Sequence, residues 1–387
     1  MFIALVAALI IFSLGASTAI AVEIFVQPGE SIQAVVNNAS SGDVITVKPG
    51  DYTGDVIIST QNLTIRSDSG NPEDTVVMAK SSGTSVFHTL ADNITISGFK
   101  IKAAGYSEVT GIYLDDCSYC TIENNNVSDN YLGIYLSNSK NNTVSGNRAN
   151  SNEQYGIHLV HSEENTLSNN TVNSNYHGIV FENNCNDNNL KTNMVSSNVD
   201  NGFYVIYSGS NNFTNNTIID NNIGIYVKNS NMSIISGNNI PENIRYGIWI
   251  SRSHYSIISG NDVNESTYGI HLDASDNNIL SENVIADNYL SGISMCPASD
   301  NNTVFNNYLK NTINTDIKNK KNTLNIKRTE HVNIVGGPYV GGNFWANSEG
   351  TGFSEVALDK DRDGISDMRY YESNIIDYLP LVPVSNP

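Results

Sequence analysis

The stretch NNTVSGNRANSNEQYGIHL, residues 141–159, carries asparagine at five of its nineteen positions and ends on Gly156-Ile157, with Leu159 two residues beyond. Asparagine is disfavoured in helix interiors and depleted in strands, so a folded chain needs a reason to set it between apolar residues. The neighbouring sequence supplies one. A glycine followed by an apolar residue recurs at Gly111, Gly133, Gly156, Gly178, Gly202, Gly224, Gly247, Gly269 and Gly292, at spacings of 22–24 residues. Self-similarity at such a period marks a repeat architecture.

Aligned on that glycine, four columns are apolar in all nine copies. Two run from Ile112 to Ile293 and from Leu114 to Met295, one and three places after the glycine; the others run from Ile122 to Val304 and from Val127 to Leu309. Alternation within each short run has the period of a strand, and asparagine and glycine interrupt every run before a helix could form. Each copy therefore supplies short strands joined by turns, and equivalent strands of successive copies stack in register ~4.8 Å apart. Parallel crossovers are almost always right-handed. The expected fold is all-β, a right-handed parallel β-helix of about twelve coils of 22–24 residues.

In that frame the asparagines fall into columns. Asn125, Asn147, Asn170, Asn193, Asn216, Asn238, Asn261, Asn283 and Asn307 make one without a break, and a second holds Asn130, Asn152, Asn175, Asn198, Asn221, Asn243, Ser266 and Asn288. Asparagine tolerates left-handed turn conformations, and a stacked amide can bond the amides above and below it. These residues are expected to make corners rather than chemistry. At the start, GESIQAVVNNA (29–39) offers Ser31 as the N-cap of a short helix with Ile32, Val35 and Val36 on one face, which can close the first coil. The chain divides into a signal segment (1–21), an N-terminal cap (22–42), β-helix repeats (43–335) and an irregular tail (336–387).

Fifty-nine asparagines in 387 residues resemble a low-complexity composition, but the steady apolar columns argue for a folded chain. A net charge of −19 makes nucleic acid and anionic membrane surfaces unsuitable partners. Residues 2–22, FIALVAALIIFSLGASTAIAV, are apolar and close on Ala19-Ile20-Ala21, the small-x-small pattern of a signal-peptidase site. No basic residue precedes them, so an uncleaved membrane anchor is the second reading, and both place residues 23–387 outside the cytoplasm, secreted or at the cell surface. Of Cys117, Cys120, Cys185 and Cys296, the first falls in a column otherwise mostly serine and the second in one of asparagine or serine, so both read as small turn residues. Eleven N-x-S/T sequons follow from the abundance of Asn and Thr.

With these residues placed, the chain resembles the NosD-like group of exported pectin-lyase-fold proteins, built from carbohydrate-binding and sugar-hydrolysis repeats. PGESIQAVVNNASSGDVITVKPGDY (28–52) is similar to the opening of such helices, and the NNTVSGN…GIYL units to their coil repeat. GGNFW (341–345), DKDRDGISD (359–367) and DYLPL (377–381) resemble their closing motif. The likeness spans residues 23–383. It implies the fold, and it implies copper delivery for nitrous oxide reductase as one function found in the group; fold alone does not give activity.

Three constellations carry candidate chemistry. DKDRDGISD sets Asp359, Asp361 and Asp363 at positions one, three and five of a loop, Gly364 at six, the Ile365 carbonyl at seven and Asp367 at nine, the pattern of an oxygen-rich calcium loop. Tyr370 stands at position twelve where a bidentate Glu is expected, so Glu355, Glu372 or Asp377 would have to complete the cage. A structural calcium is the expectation, an acidic solvated turn the alternative. Copper would want clustered His, Met or Cys; His158, His161 and His177, with Glu163, Glu164 and Glu182, form the densest polar patch, although Glu163 can instead face Lys140 one coil below.

The third constellation is a column two places after the glycine, pointing outward by alternation: Tyr113, Tyr135, His158, Val180, Tyr204, Tyr226, Trp249, His271 and Ser294, with Tyr155, Tyr246 and Tyr268 beside it. Aromatic residues are good strand formers on any sheet surface. Rings repeating along a face also suit the stacking of pyranose rings, which makes Tyr113, Tyr135, His158, Tyr204, Tyr226, Trp249 and His271 candidate carbohydrate-binding residues and a polysaccharide or cell-envelope glycan the candidate partner. The net charge favours neutral or cation-bridged glycans. A polysaccharide lyase, hydrolase or epimerase is the enzymatic alternative. Glycosidases need two carboxylates ~5–9.5 Å apart, yet Asp115, Glu182 and Asp273 stand isolated four places after the glycine, and no column stacks two acids on consecutive coils beside a base.

Overall fold

Strand alternation becomes three parallel sheets wrapped around one apolar interior. The computed structural model describes residues 21–372 and 375–384, so all but the end of the candidate signal segment lies outside the described residues. The first sheet has thirteen strands, from Glu23–Val26 to Thr303–Phe305, and the second twelve, from Val56–Ile58 to Thr315–Ile317. The third is interrupted into four strands, Gly50–Thr53 to Asn126–Val127, and eight, Thr171–Asn173 to Phe344–Ala346. The result is a right-handed solenoid of about thirteen turns, roughly 60 Å long. It has one turn more than the repeats suggest because Glu23–Val26 already pairs with Val44–Val47.

Register follows the columns: Ile112 faces Ile134, which faces Ile157, which faces Ile179. All 36 residues of the four apolar columns are buried. The repeated glycine is explained by close approach rather than by a left-handed backbone. A Cβ on Gly202 would lie 2.7 Å from the Gly224 carbonyl oxygen, and one on Gly269 would lie 2.6 Å from that of Gly292.

The asparagine columns are buried ladders. Asn170 Nδ2 donates to Asn193 Oδ1 at 3.0 Å and to the Val144 carbonyl at 2.8 Å, while its own Oδ1 accepts from the backbone N–H and Nδ2 of Asn147. The left-handed residues are not the rungs. They immediately precede them: Asn124, Asn169, Thr192, Asn215 and Glu282 have positive φ and are exposed. Asparagine is needed at the rung for its amide, whereas the turn before it accepts several side chains because they point to solvent. A third ladder runs through Asn142, Asn165, Asn188 and Asn211 and resumes at Asn278, Asn302 and Asn322. Ser139, Ser162, Cys185 and Ser208 form a fourth line of rungs. Cys117 and Cys120 are free buried thiols whose backbone N–H groups bond the next rungs, Ser139 and Asn142.

Both ends are closed by side chains. Ser31 caps the helix Ile32–Val36, and Gln33 offers its amide to the N–H and carbonyl of Ile57, standing in for a missing strand at the edge of the second sheet. At the far end Asn343 is the last rung, accepting from Asn307 Nδ2 at 2.9 Å, and Phe344–Ala346 pairs with Tyr308–Lys310. Asp377 locks this rung: one carboxylate oxygen accepts from Asn343 N at 2.8 Å and Trp345 Nε1 at 2.9 Å, the other from Leu379 N at 3.1 Å. Gly342 leaves room for that carboxylate, which a Cβ would strike.

Two predictions follow from these closures. Asn170→Ala leaves the Asn147 backbone N–H without its acceptor, removes one of the two bonds of Asn147 Nδ2 and strips the Val144 carbonyl of its amide donor, and should lower stability by about 2–5 kcal/mol; the neighbouring exposed Asn169→Ala should cost under about 1 kcal/mol. Equal losses in thermal melts would contradict the ladder account. Burial pushes the Asp377 carboxyl up to about 6 against the pull of its hydrogen bonds. An acid raised on folding stabilises the folded state below its ordinary value near 3.8 and loses that contribution as pH rises through its folded value. Docking of the tail, read by Trp345 fluorescence in denaturant, should therefore weaken between pH 4 and pH 6 by on the order of 2–4 kcal/mol, and Asp377→Asn should remove that slope.

Candidate functional site

The second sheet presents its outward side chains in three columns, and register brings their rings together. Tyr113 stacks on His88 with centroids 4.6 Å apart, Tyr135 on Tyr113 at 4.8 Å, and His158 on Tyr135 at 5.0 Å. Val180 breaks the column. The stack crosses to the neighbouring one through Tyr155, which meets His158 edge-on at 4.7 Å and His177 at 5.6 Å. His177 then stacks on Tyr204, Tyr204 on Tyr226 and Tyr226 on Trp249, at 5.2, 5.6 and 4.4 Å. Tyr246 joins Trp249 to Tyr268 and His271.

All seven ring residues expected from the sequence thus lie on one face. Their mode of presentation differs from the expectation. The ring faces cover one another, so what the face turns outward is a row of ring edges with the phenol hydroxyls among them, while Trp249 Nε1, His88 Nε2 and His158 Nδ1 are buried. Burial pushes the Tyr113 phenol up to about 12, helped by Asp115, and burial also raises Tyr155, Tyr204 and Tyr226, so these groups are neutral donors at neutral pH. His177, which carries the stack past Val180, was missed as a ring position. Its signal was its place before Gly178, in the column of Tyr155, Tyr246 and Tyr268.

The polar patch of the sequence separates. His158, His177 and Glu182 meet on this face: His158 Nε2 lies 3.2 Å from Glu182 Oε2, and that hydrogen bond holds the Glu182 carboxyl below its ordinary range. His177, lowered by burial, is 3.1 Å from the Asn201 side-chain amide. His161 and Glu164 occupy left-handed turns, and Glu163 pairs with Lys140 at 3.4 Å, as its place one coil above suggested. Among the described residues only Asp359, Asp361 and Asp363 converge as three or more His, Cys, Asp or Glu side chains. That is a hard oxygen set, unlike the imidazole, thiolate or thioether donors that copper prefers.

In the tail loop the oxygens of Asp359, Asp361 and Asp363 lie within 4.8 Å of one another. Gly364, with φ +80°, makes the turn, and Asp359 accepts from the N–H groups of Asp363 and Gly364. Asp361 is exposed, and its carboxyl is raised by desolvation and by its acidic neighbours. Arg328 pairs with Asp363 at 2.7 Å. Asp367 accepts instead from Lys360 N, and Ile365 N donates to Asp363. Neither Asp377 nor Glu355 completes the cage. The first is held by Asn343 and Trp345, and the second accepts from Gly352 N and Asn347 N.

The fold is shared with solved structures of low sequence identity. The Dettilon tailspike protein is 18% identical with a TM-score of 0.60, covering 76% of this chain and 67% of its own. The A-module of a mannuronan C-5 epimerase from Azotobacter vinelandii is 13% identical with a TM-score of 0.59, covering 76% and 92%. A mannuronic-acid-specific polysaccharide family 6 lyase from human gut microbiota is 13% identical with a TM-score of 0.54, covering 77% and 82%. No curated protein sequence matches the chain. The family profile described as "Periplasmic copper-binding protein (NosD)" matches residues 36–223 and 185–350, nearly the whole solenoid, and the chain belongs to the NosD family.

Proposed function

We propose that this NosD-family protein works outside the cytoplasm and binds a polysaccharide along the ringed face of its second sheet. The observation that carries this reading is the row of stacked rings from His88 to His271, which aligns tyrosine hydroxyls along one face of a rigid scaffold. Weak contacts repeated along a polymer add through multivalency. Solved proteins that share the fold include a tailspike, an epimerase and a lyase, which supports a glycan as the class of ligand. No helix among the described residues is long and apolar enough to cross a membrane. Copper, part of the family's description, does not fit the donors that converge here.

The tail loop is proposed to hold a structural Ca²⁺ through Asp359, Asp361, Asp363 and the Ile365 carbonyl, with Asp367 released from Lys360 N. Three carboxylates within reach of one ion suit a hard cation, which would offset the desolvation and the acidic neighbours that raise Asp361.

Because the rings stack, alanine replacements would cost about 0.5–1.5 kcal/mol per lost pair and confuse binding with folding. Tyr204→Phe with Tyr226→Phe keeps the stack and removes two hydroxyls. On a glycan array followed by calorimetry, the wild type should bind a polysaccharide and the double variant should bind it about tenfold more weakly, with an unchanged melting temperature. An array without a hit would overturn the reading, and polymer turnover abolished by Glu182→Gln would make the protein an enzyme. Calcium should bind the tail with an affinity on the order of 10⁻⁴–10⁻³ M, and Asp361→Ala should abolish the calorimetric signal; no calcium heat in the wild type would remove the site.

A further inference from the structure

The ringed face is electrically uneven along its length. Its N-terminal coils carry acids: Asp115 and Glu182 on the strands and Asp116 and Asp200 at the rims, with His88, His158 and His177 as the ion-pair partners of Asp115, Glu182 and Asp200. Further along, three cations flank the two ends of the strand that carries Trp249. The Arg245 guanidinium lies over the ring of Tyr246 at 5.2 Å and over that of Trp249 at 6.0 Å. Lys228 sits in register beside Ser251, and Arg252 follows Ser251 in a left-handed turn close enough to Tyr226 to favour its phenolate.

Among the described residues none of these three cations has a carboxylate within ion-pair distance, although lysines elsewhere on the chain, such as Lys48, Lys100 and Lys310, are paired. Asp273 is the acid on their own stretch of sheet, and it is engaged by the Ser251 hydroxyl at 3.2 Å. A separate observation points to a missing acceptor at the same place. Trp249 Nε1 is buried and has no hydrogen-bond partner. An indole N–H can only donate, so this spot has an unpartnered donor beside a guanidinium that has no anion.

We propose that the coils around Trp249 form a subsite for an acidic sugar unit, whose carboxylate is taken by Arg245. The proposal rests on the glycan reading above and names its chemistry. A guanidinium beside two rings and without a carboxylate of its own has donors free for the two oxygens of a carboxylate. The net charge of −19 does not forbid this, because charges farther than a Debye length of about 8 Å at physiological salt are largely screened, while contact charges are not. The net charge had favoured neutral or cation-bridged glycans; the local arrangement favours a uronate.

The test uses the purified full chain, a 1,4-linked uronic acid hexamer and the same hexamer with its carboxyl groups reduced to alcohols. In 50 mM salt the acidic hexamer should bind roughly tenfold or more tightly than the neutral one, and the preference should shrink in 300 mM salt. Arg245→Gln should bring the two affinities together by weakening only the acidic hexamer, and Arg245→Lys should restore part of the preference. Lys191→Gln, an exposed cation on the first sheet, should leave the preference intact. Equal binding of both hexamers, or an equal loss from Lys191→Gln, would overturn the acidic subsite while leaving glycan binding in place. Binding of neither hexamer, in a protein that also gives no array hit, would remove the glycan reading and this one with it.

Discussion

An amide that accepts twice from the coil before it and donates to the coil after it is the contact on which this molecule depends. Asn147, Asn170 and Asn193 repeat the same bonds, coil after coil. A buried amide without partners would cost more than a neutral hydrogen bond returns. The interior of each corner is therefore either fully laddered or destabilised. Laddering demands that every coil place the same residue type at the same height, and this fixes the register of all three sheets more tightly than apolar packing alone. Hydrophobic columns tolerate Ile, Val, Leu and Phe in exchange; the main ladder tolerates little besides asparagine.

Register set on the inside determines the surface. Once Ile134 is opposite Ile157, Tyr135 is opposite His158, and rings ~4.8 Å apart have no better option than to lie on one another. The ringed face is thus a consequence of the coil geometry before it is a binding surface. The same logic sets Arg245 and Arg252 at the two ends of the strand that carries Trp249, with Lys228 in register beside Ser251. It also closes the far end: GGNFW and DYLPL meet because Asn343 must sit on Asn307 and Asp377 must hold Asn343, and DKDRDGISD joins them through the bridge of Ile365 to Leu381.

Most of the solenoid could be read from residues alone, because its period is short, its columns are apolar without exception and its asparagines align. What stayed hidden had physical causes. The first strand, Glu23–Val26, precedes the regular repeat and has neither its glycine nor its ladder. The left-handed residues were not separable from the rungs, since asparagine suits both the turn and the amide ladder. Ring orientation depends on side-chain torsions that no column reveals, so stacking faces were expected where edges are presented. The approach of Arg245 to Trp249 has no column to announce it, because Arg245 lies before the strand and outside the repeating positions.

The last rung carries a consequence for how such chains change. Asn283 and Asn307 are 24 residues apart, but Asn307 and Asn343 are 36 apart and still make the same pair of bonds. The extra chain leaves the coil after one rung and returns before the next. The ladder counts turns and is indifferent to contour length. Since closing a longer loop costs only slowly more with length, any exposed corner of this solenoid can take an insertion without disturbing the stack on either side. New loops can be acquired at the rims of an existing surface while the scaffold beneath stays as it was.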